Sequence, residues 1–254
     1  MISNGNEESR SLGSRTARNG FQNEDDVARK FNLWKTDRDS RQWLRIMGYK
    51  LNEIEKVEAV KLHGGYKTDV QVQVTIFFKD AIDAQNLSIK LVSNPQGYNQ
   101  VDKRWVDKYI ELWNIPTDIA TLLKLFTGEE MPASCSLRDA RRMFFDEMTR
   151  QDQTKITDFF TQNKFLVISD IIKGRGRFSA DWMLVALITR DTCKWALKSI
   201  NEAMNLFANG PVIITKKGSL KIGKITMQRK GGDSGRPTAT MLQFKINPIE
   251  LFDS

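Results

Sequence analysis

The segment Asp69–Phe78 constrains the fold more than any other stretch of this 254-residue chain. Val70, Val72, Val74 and Ile76 alternate with Asp69, Gln71, Gln73 and Thr75. That is the period-two pattern of a strand with one buried and one polar face. Leu87–Val92 repeats it, with Leu87, Ile89 and Leu91 on one face and Ser88 and Lys90 on the other. Between them lies a polar turn region centred on Lys79-Asp80. The two strands are therefore expected to pair antiparallel, with partners whose residue numbers sum to 159, which sets Asp69 opposite Lys90. A looser turn would shift that register.

Elsewhere helical spacing prevails. Helices are expected over Asn23–Lys35, with Val27, Phe31 and Trp34 on one stripe and Asn23 as N-cap, and over Ser40–Lys56, Val101–Trp113, Thr117–Phe126, Leu137–Gln162 and Thr192–Phe207. Short strands are expected over Val57–Leu62, Phe165–Ser169, Val212–Thr215, Leu220–Arg229 and Thr240–Ile246, with a turn at Gly64-Gly65. Trp182–Thr189 suits either a buried strand or a helix, because periodicity does not decide for so short an apolar run. Few strands separated by helices place the chain in the α/β or α+β class. Three stretches are expected within one compact domain: a flexible polar arm over 1–16, a helix-rich core over 17–163 containing Asp69 and Lys90, and a basic, β-containing part over 164–254.

Several function classes fall away. The longest apolar run, Trp182–Ile188, is far shorter than the roughly 20 residues a bilayer crossing requires. Met1–Arg10 is polar and unlike a secretory signal, so a cytoplasmic protein with no membrane partner is expected, its Cys135 and Cys193 reduced. His63 is the only histidine, which excludes a zinc site built from three His or Cys of this chain. No GxxxxGK[ST] loop is present. Catalysis is left to carboxylates, lysine and a bound metal.

Charge points to a partner. The formal net charge is +8, yet residues 1–163 hold 24 basic and 24 acidic residues, and residues 164–254 hold 15 basic against 7 acidic. A polyanion suits such asymmetry, because its condensed counterions are released on binding. A solvated basic surface fits the same count.

Asp69 beside Lys90 on a strand pair forms either an ordinary cross-strand ion pair or a phosphodiester-cleaving centre. In the second case Asp69 holds a hard divalent cation, and Lys90 orients or deprotonates a water or stabilises charge on the phosphate. Glu24 shares a helical stripe with Ala28 and Phe31 and can deliver a further carboxylate, although Glu24, Asp25 and Asp26 also suit the dipole of a first helical turn. The loop that follows Lys90 carries Asn94, Gln96, Tyr98, Asn99 and Gln100, amides and one aromatic able to hold phosphate oxygens or contact bases, or simply to build a turn. Gln228, Arg229, Lys230, Asp233 and Arg236 surround a Gly231-Gly232 turn in the basic third, where DNA contact and a solvated hairpin are both open.

Longer segments add a resemblance: GFQNEDDVARKF from Gly20, LVSN from Leu91, YNQVDKRW from Tyr98, GRGRFSADW from Gly174, and QRKGGDSGRPTATMLQFKINPIELFD from Gln228. With these the chain resembles the type II restriction endonucleases of the HinP type, which cut GCGC and belong to the PD-(D/E)XK nuclease superfamily. The resemblance implies a restriction-endonuclease-like α/β (α+β) core, with a central mixed β-sheet flanked by helices and a basic C-terminal part that recognises DNA. It places Asp69 as the first metal-binding aspartate and Ser88-Ile89-Lys90 at the (D/E)XK position, with the Ile89 carbonyl as a main-chain metal ligand. Ser88 departs from the usual Asp or Glu, and HinP-type enzymes can carry Gln there. Glu24 then compensates as a helix-borne carboxylate. The resemblance sets Gln100 and Tyr98 at the phosphate and base side of the site, and adds Lys103 to the DNA contacts. It further implies Mg²⁺, with Mn²⁺ as a substitute, double-stranded DNA as substrate, and a bacterial cytoplasmic setting. A cognate methyltransferase without a stable complex, and a monomer or homodimer, complete what it implies.

Two rival readings remain at this stage. Ser88 can mark a decayed site in a non-catalytic, sequence-specific DNA-binding protein. A structure-selective repair or recombination nuclease of the same superfamily would carry the same core.

Overall fold

A computed structural model of the chain describes residues 23–62, 72–94, 96–133, 138–191, 193–232 and 236–253. The arm over 1–16, His63, the Gly64-Gly65 turn, Asp69, Cys135 and Asp233 lie outside the described residues. The contacts divide the chain into two units: 1–97 with 172–203 and 247–254, and 98–171 with 204–246.

The first unit is built on a five-stranded sheet in the order β1-β2-β3-β5-β6. Its strands are β1 (Lys56–Lys61), β2 (Val72–Phe77), β3 (Ile82–Val92), β5 (Trp182–Ile188) and β6 (Cys193–Ser199). All neighbours are antiparallel except β3 and β5, which run parallel, so the sheet is mixed. The β2–β3 hairpin keeps the expected register: Val72 faces Leu87, Gln73 faces Asn86, and each pair sums to 159.

One face of this sheet is covered by helix α1, over residues 23–32, and α2 (Arg38–Ile46). Val27, Phe31, Trp43 and Leu44 pack there on Val57, Ala59, Val72, Val74, Ile76, Leu87, Ile89, Leu184 and Leu197. The Phe31 and Trp43 rings lie 5.2 Å apart, and Trp195 meets Trp43 edge-on at 5.3 Å. Burying these large side chains stabilises by about 1.5–3 kcal/mol each. On strand parity Ser88, Lys90 and Val92 point to the opposite face, beside Met183 and Val185 of β5.

The second unit carries an all-antiparallel sheet in the order β4-β10-β9-β8-β7. It comprises β4 (Asn99–Arg104), β7 (Val212–Ile214), β8 (Leu220–Ile222), β9 (Ile225–Arg229) and β10 (Leu242–Ile246). Its helices are α3 (Val106–Trp113), α4 (Thr117–Thr127), α5 (Arg150–Gln162), α6 (Lys164–Ile168) and the end of α7 (Ile200–Ala208). Tyr109, Trp113, Phe160 and Phe244 form the aromatic centre, Tyr109 and Trp113 stacked at 4.5 Å and Phe244 edge-on to both.

Six local expectations are corrected. Asn23 already lies within α1 and does not cap it. The second helix stops at Ile46, because Gly48 takes a φ of +93° and turns the chain out of the helix. Asn99–Arg104 is strand β4, since pairing with β10 overrides the local helical spacing, and the helix begins only at Val106. Cys193–Ser199 is strand β6 for the same reason, leaving a helix only over Ile200–Ala208. Residues 138–149 are turns and short 3₁₀ structure ahead of α5, and Phe165–Ser169, expected as a strand, is helical. Val167 and Ile168 are buried by that helix, so an apolar β-branched run served a buried helix face instead. Trp182–Ile188 resolves as a strand.

Candidate active site and nucleic-acid interface

In the first unit Ser88, Ile89 and Lys90 sit in the C-terminal half of β3, and Lys90 is only 8% exposed. Burying an ammonium group is costly unless it has partners, and Lys90 is engaged in an interaction. The Ser88 hydroxyl is the anomaly of the strand: it is buried and has no hydrogen-bond partner among the described residues. An orphaned buried hydroxyl costs about 1–3 kcal/mol, so the position calls for an explanation. The donors β3 offers here, a hydroxyl and a main-chain carbonyl, are oxygens and suit a hard divalent cation. Among the described residues no group of three or more His, Cys, Asp and Glu forms a metal cluster, and Asp69 lies outside them.

Glu24 stands elsewhere. Its carboxylate is 3.2 Å from the Lys61 ammonium, which Asp25 also approaches at 3.1 Å. Burial disfavours the Lys61 charge, but Asp25 and Glu24 outweigh it and raise the lysine above its ordinary range. Lys61 faces Val72, and Val72 faces Leu87, so Lys61 belongs to the helix-covered face of the sheet, opposite Ser88 and Lys90.

Asn86, which the sequence reading overlooked, holds the strand that carries the motif. It lies on the Ser88 face, accepts from Gln73 Nε2 at 2.9 Å, and donates through Nδ2 to the carbonyls of Arg177 and Ser179 at 3.1 and 3.0 Å. Its backbone N–H donates to Asp181 Oδ2 at 2.8 Å. These bonds fasten the GRGRFSADW segment to β3 just before β5 begins. The signal was available, since Asn86 stands two residues before Ser88 on the polar face of the strand.

After Lys90 the chain makes a tight turn in which Asn94 Oδ1 accepts from the Gln96 N–H at 3.0 Å and the Asn94 carbonyl accepts from Gly97 at 2.8 Å. Asn94 and Gln96 are exposed.

In the second unit the sheet has two unlike faces. Inward lie Leu220, Ile222, Met227, Leu242, Phe244 and Ile246, all fully buried. Outward, Lys103, Gln243 and Gln228 stand in direct register across β4, β10 and β9, and Lys245, Thr226 and Lys221 form the next row. A bulge in β4, where the pairing slips between Phe244 and Lys245, sets Gln100 opposite Lys245. Without it Gln100 would share the inward face with Asp102 and Arg104; the extra residue re-aims it outward. Three residues singled out from sequence, Gln100, Lys103 and Gln228, thus share one face. Lys245 was missed, although the alternation Leu242-Gln243-Phe244-Lys245-Ile246 announces it; Gln243 on the same face is buried and donates to the Arg229 and Lys230 carbonyls. Tyr98, 55% exposed, and Asn99 open the same unit at the start of β4.

Arg229 points the other way. It pairs with Leu242 on the inward side, and its Nε donates to the Thr127 carbonyl at the end of α4 at 2.7 Å. Burial and the nearby Arg141 hold its guanidinium below the ordinary range. Arg229, expected to contact DNA, caps α4 through its Nε. The Lys230 backbone N–H donates to the Met241 carbonyl at 2.8 Å, which closes the β9–β10 loop, and Arg236 is exposed.

β4 is held by a buried charged network. Arg104 lies 3.3 Å from Asp102 and 3.1 Å from Asp170, Trp113 Nε1 donates to Asp170 at 2.9 Å, and the Tyr109 hydroxyl donates to Asp102 at 2.7 Å. Burial opposes the Arg104 charge, but the two carboxylates outweigh it and raise the guanidinium above its ordinary range. Burial, together with Asp102, pushes the Tyr109 hydroxyl far above the usual phenol range, so it remains a donor.

The fold is that of a restriction endonuclease, a mixed sheet flanked by helices. The restriction endonuclease MspI, whose structure is known in complex with its cognate DNA, is similar over 93% of this chain and 92% of its own, with a TM-score of 0.66 at 12% identity. The family model of the R.HinP1I restriction endonuclease matches residues 47–252, and the chain belongs to that family. It is a type II site-specific deoxyribonuclease. No curated protein matches it in sequence. Among the described residues no helix is long and apolar enough to cross a membrane.

Proposed function

We propose that this enzyme cuts double-stranded DNA at GCGC and requires Mg²⁺, for which Mn²⁺ can substitute. Asp69, the Ile89 carbonyl and the Ser88 hydroxyl would hold the ion, and Glu24 stays with Lys61. When bound, such an ion supplies Lewis acidity at the scissile phosphate. Lys90 holds its positive charge against the phosphate oxygens and orients the attacking water. The observation that carries this reading is the orphaned Ser88 hydroxyl two residues from a buried lysine on one strand face.

The outward sheet face of the second unit would read the bases. A lysine such as Lys103 suits the O6 and N7 atoms of guanine, and amides such as Gln228 and Gln100 supply the finer hydrogen bonds. Asn94, Gln96, Tyr98, Asn99, Lys230 and Arg236 would fix the backbone of the duplex, and the Asp233 carboxylate would accept from a cytosine amino group. A palindromic target suits two-fold symmetry, met by a homodimer or by a monomer that cuts each strand in turn. A host methyltransferase acting on the same site would protect cellular DNA.

Incubation of the pure protein with plasmid DNA of known sequence tests this reading. With Mg²⁺ or Mn²⁺, discrete fragments ending at GCGC are expected, and chelation abolishes them. Binding without cutting, or cutting confined to branched or damaged DNA, would sink it.

Ser88→Ala separates structure from chemistry. Removing an unsatisfied buried hydroxyl leaves stability unchanged or raises it by about 1 kcal/mol. Losing a metal ligand lowers cleavage about tenfold or more. A thermal melt and a cleavage time course read the two effects; a less stable variant with wild-type cleavage contradicts the assignment.

A further inference from the structure

An open groove of about 780 Å³ beside the end of α2 takes no part in the chemistry above. Lys35, Arg41, Arg45 and Lys50 line it, with Trp34 and Asn52, and no carboxylate is among its lining residues. Arg41 and Arg45 stand one turn apart on α2, both exposed, and neither side chain forms an ion pair among the described residues. Lys35 lies over the Trp34 ring at 5.8 Å, and Lys50 alone has an acidic partner, Glu53, at 2.9 Å. Several neighbouring cations are matched: Arg29 with Asp26, Lys30 with Asp37 and Asp39, Lys61 with Glu24 and Asp25. Three cations without an acidic partner among the described residues, Lys35, Arg41 and Arg45, thus line one concavity.

The groove lies by the start of β3, at the far end of that strand from Lys90. Tyr49 lines it, and the Tyr49 hydroxyl donates to Asp83 at the start of β3 at 2.6 Å. Lys90 lies seven residues further along the same strand, roughly 23 Å at about 3.3 Å per residue.

We propose that this groove is a second, sequence-independent site for the sugar–phosphate backbone of DNA, holding a stretch of duplex other than the one at Lys90; the proposal rests on the reading of the protein as a DNA-cutting enzyme. Two guanidinium forks and two ammonium groups match phosphate oxygens. The groove offers little for reading bases, so the contact positions without specifying. Such a site retains the enzyme on long DNA and passes it between neighbouring segments.

The test uses the full chain with Arg41→Gln and Arg45→Gln together. Each phosphate contact contributes about 0.9 to the slope of log K against log salt. For a duplex lacking the target, the double variant is expected to show a slope shallower by about 1.8. Saturating cleavage of a short target duplex stays at the wild-type rate, while plasmid cleavage at limiting enzyme slows. Both arginines are exposed, so the melting midpoint should not move; if the double variant fails to fold, Lys35→Gln is measured in its place, with an expected change of about 0.9. An unchanged slope overturns the proposal. A shallower slope in a protein that never cuts would uphold the groove and remove the cleavage reading instead.

Discussion

Lys90→Met and Lys90→Ala leave DNA affinity close to wild type and lower single-turnover cleavage by roughly a thousandfold. The size of the effect follows from what a preorganised charge contributes where charge develops in a reaction, on the order of 10²–10³ for one group in a water-poor site. Lys90 has that setting: it is 8% exposed, on a strand paired in parallel with β5, beside fully buried Val185. Methionine keeps the length of the chain and removes only the charge, so the folded state persists and the loss is chemical. Gel-shift affinity without added metal, set beside cleavage with Mg²⁺, separates the two. Cleavage by Lys90→Met within a few-fold of wild type would refute the role given to Lys90.

The second large effect falls on stability. Arg104→Met leaves the Asp102 and Asp170 carboxylates buried with no cation between them, and breaking such a pair costs about 3–5 kcal/mol. The melting midpoint is expected to drop by about 10 °C. Adding Asp170→Asn to Arg104→Met recovers part of the loss, because one stranded charge disappears. Since Arg104 belongs to β4, whose outward side carries Gln100 and Lys103, the single variant also weakens specific DNA binding. A midpoint shift of only 1–2 °C would show that the network is solvated rather than dry.

The legible parts of the fold were those governed by local alternation. The β2–β3 register followed from the turn centre and strict period two, and Val72 meets Leu87 as that arithmetic requires. β4 and β6 were not legible. Their residues fit a helical stripe, and they are strands because β10, far along the chain, and β5 offer hydrogen-bonding partners. Phe165–Ser169 shows the converse, an apolar run with strand-like composition recruited to a helix. In the candidate site, the assignment of Ser88-Ile89-Lys90 came from the family resemblance, whereas the inward turn of Arg229 depends on a carbonyl of Thr127, about a hundred residues earlier. The outward position of Gln100 depends on a bulge that only the finished sheet creates.

That sheet has a consequence for how enzymes of this kind diversify. Leu242, Phe244 and Ile246 keep the protein folded, while Lys245 and its neighbours Lys103 and Gln228 on the other face are only half-buried. Mutational drift can therefore exchange those half-buried residues without disturbing the core, whereas Gln243, buried and bonded to the Arg229 and Lys230 carbonyls, stays with the fold. Preference for a new target can arise there while the architecture is inherited intact.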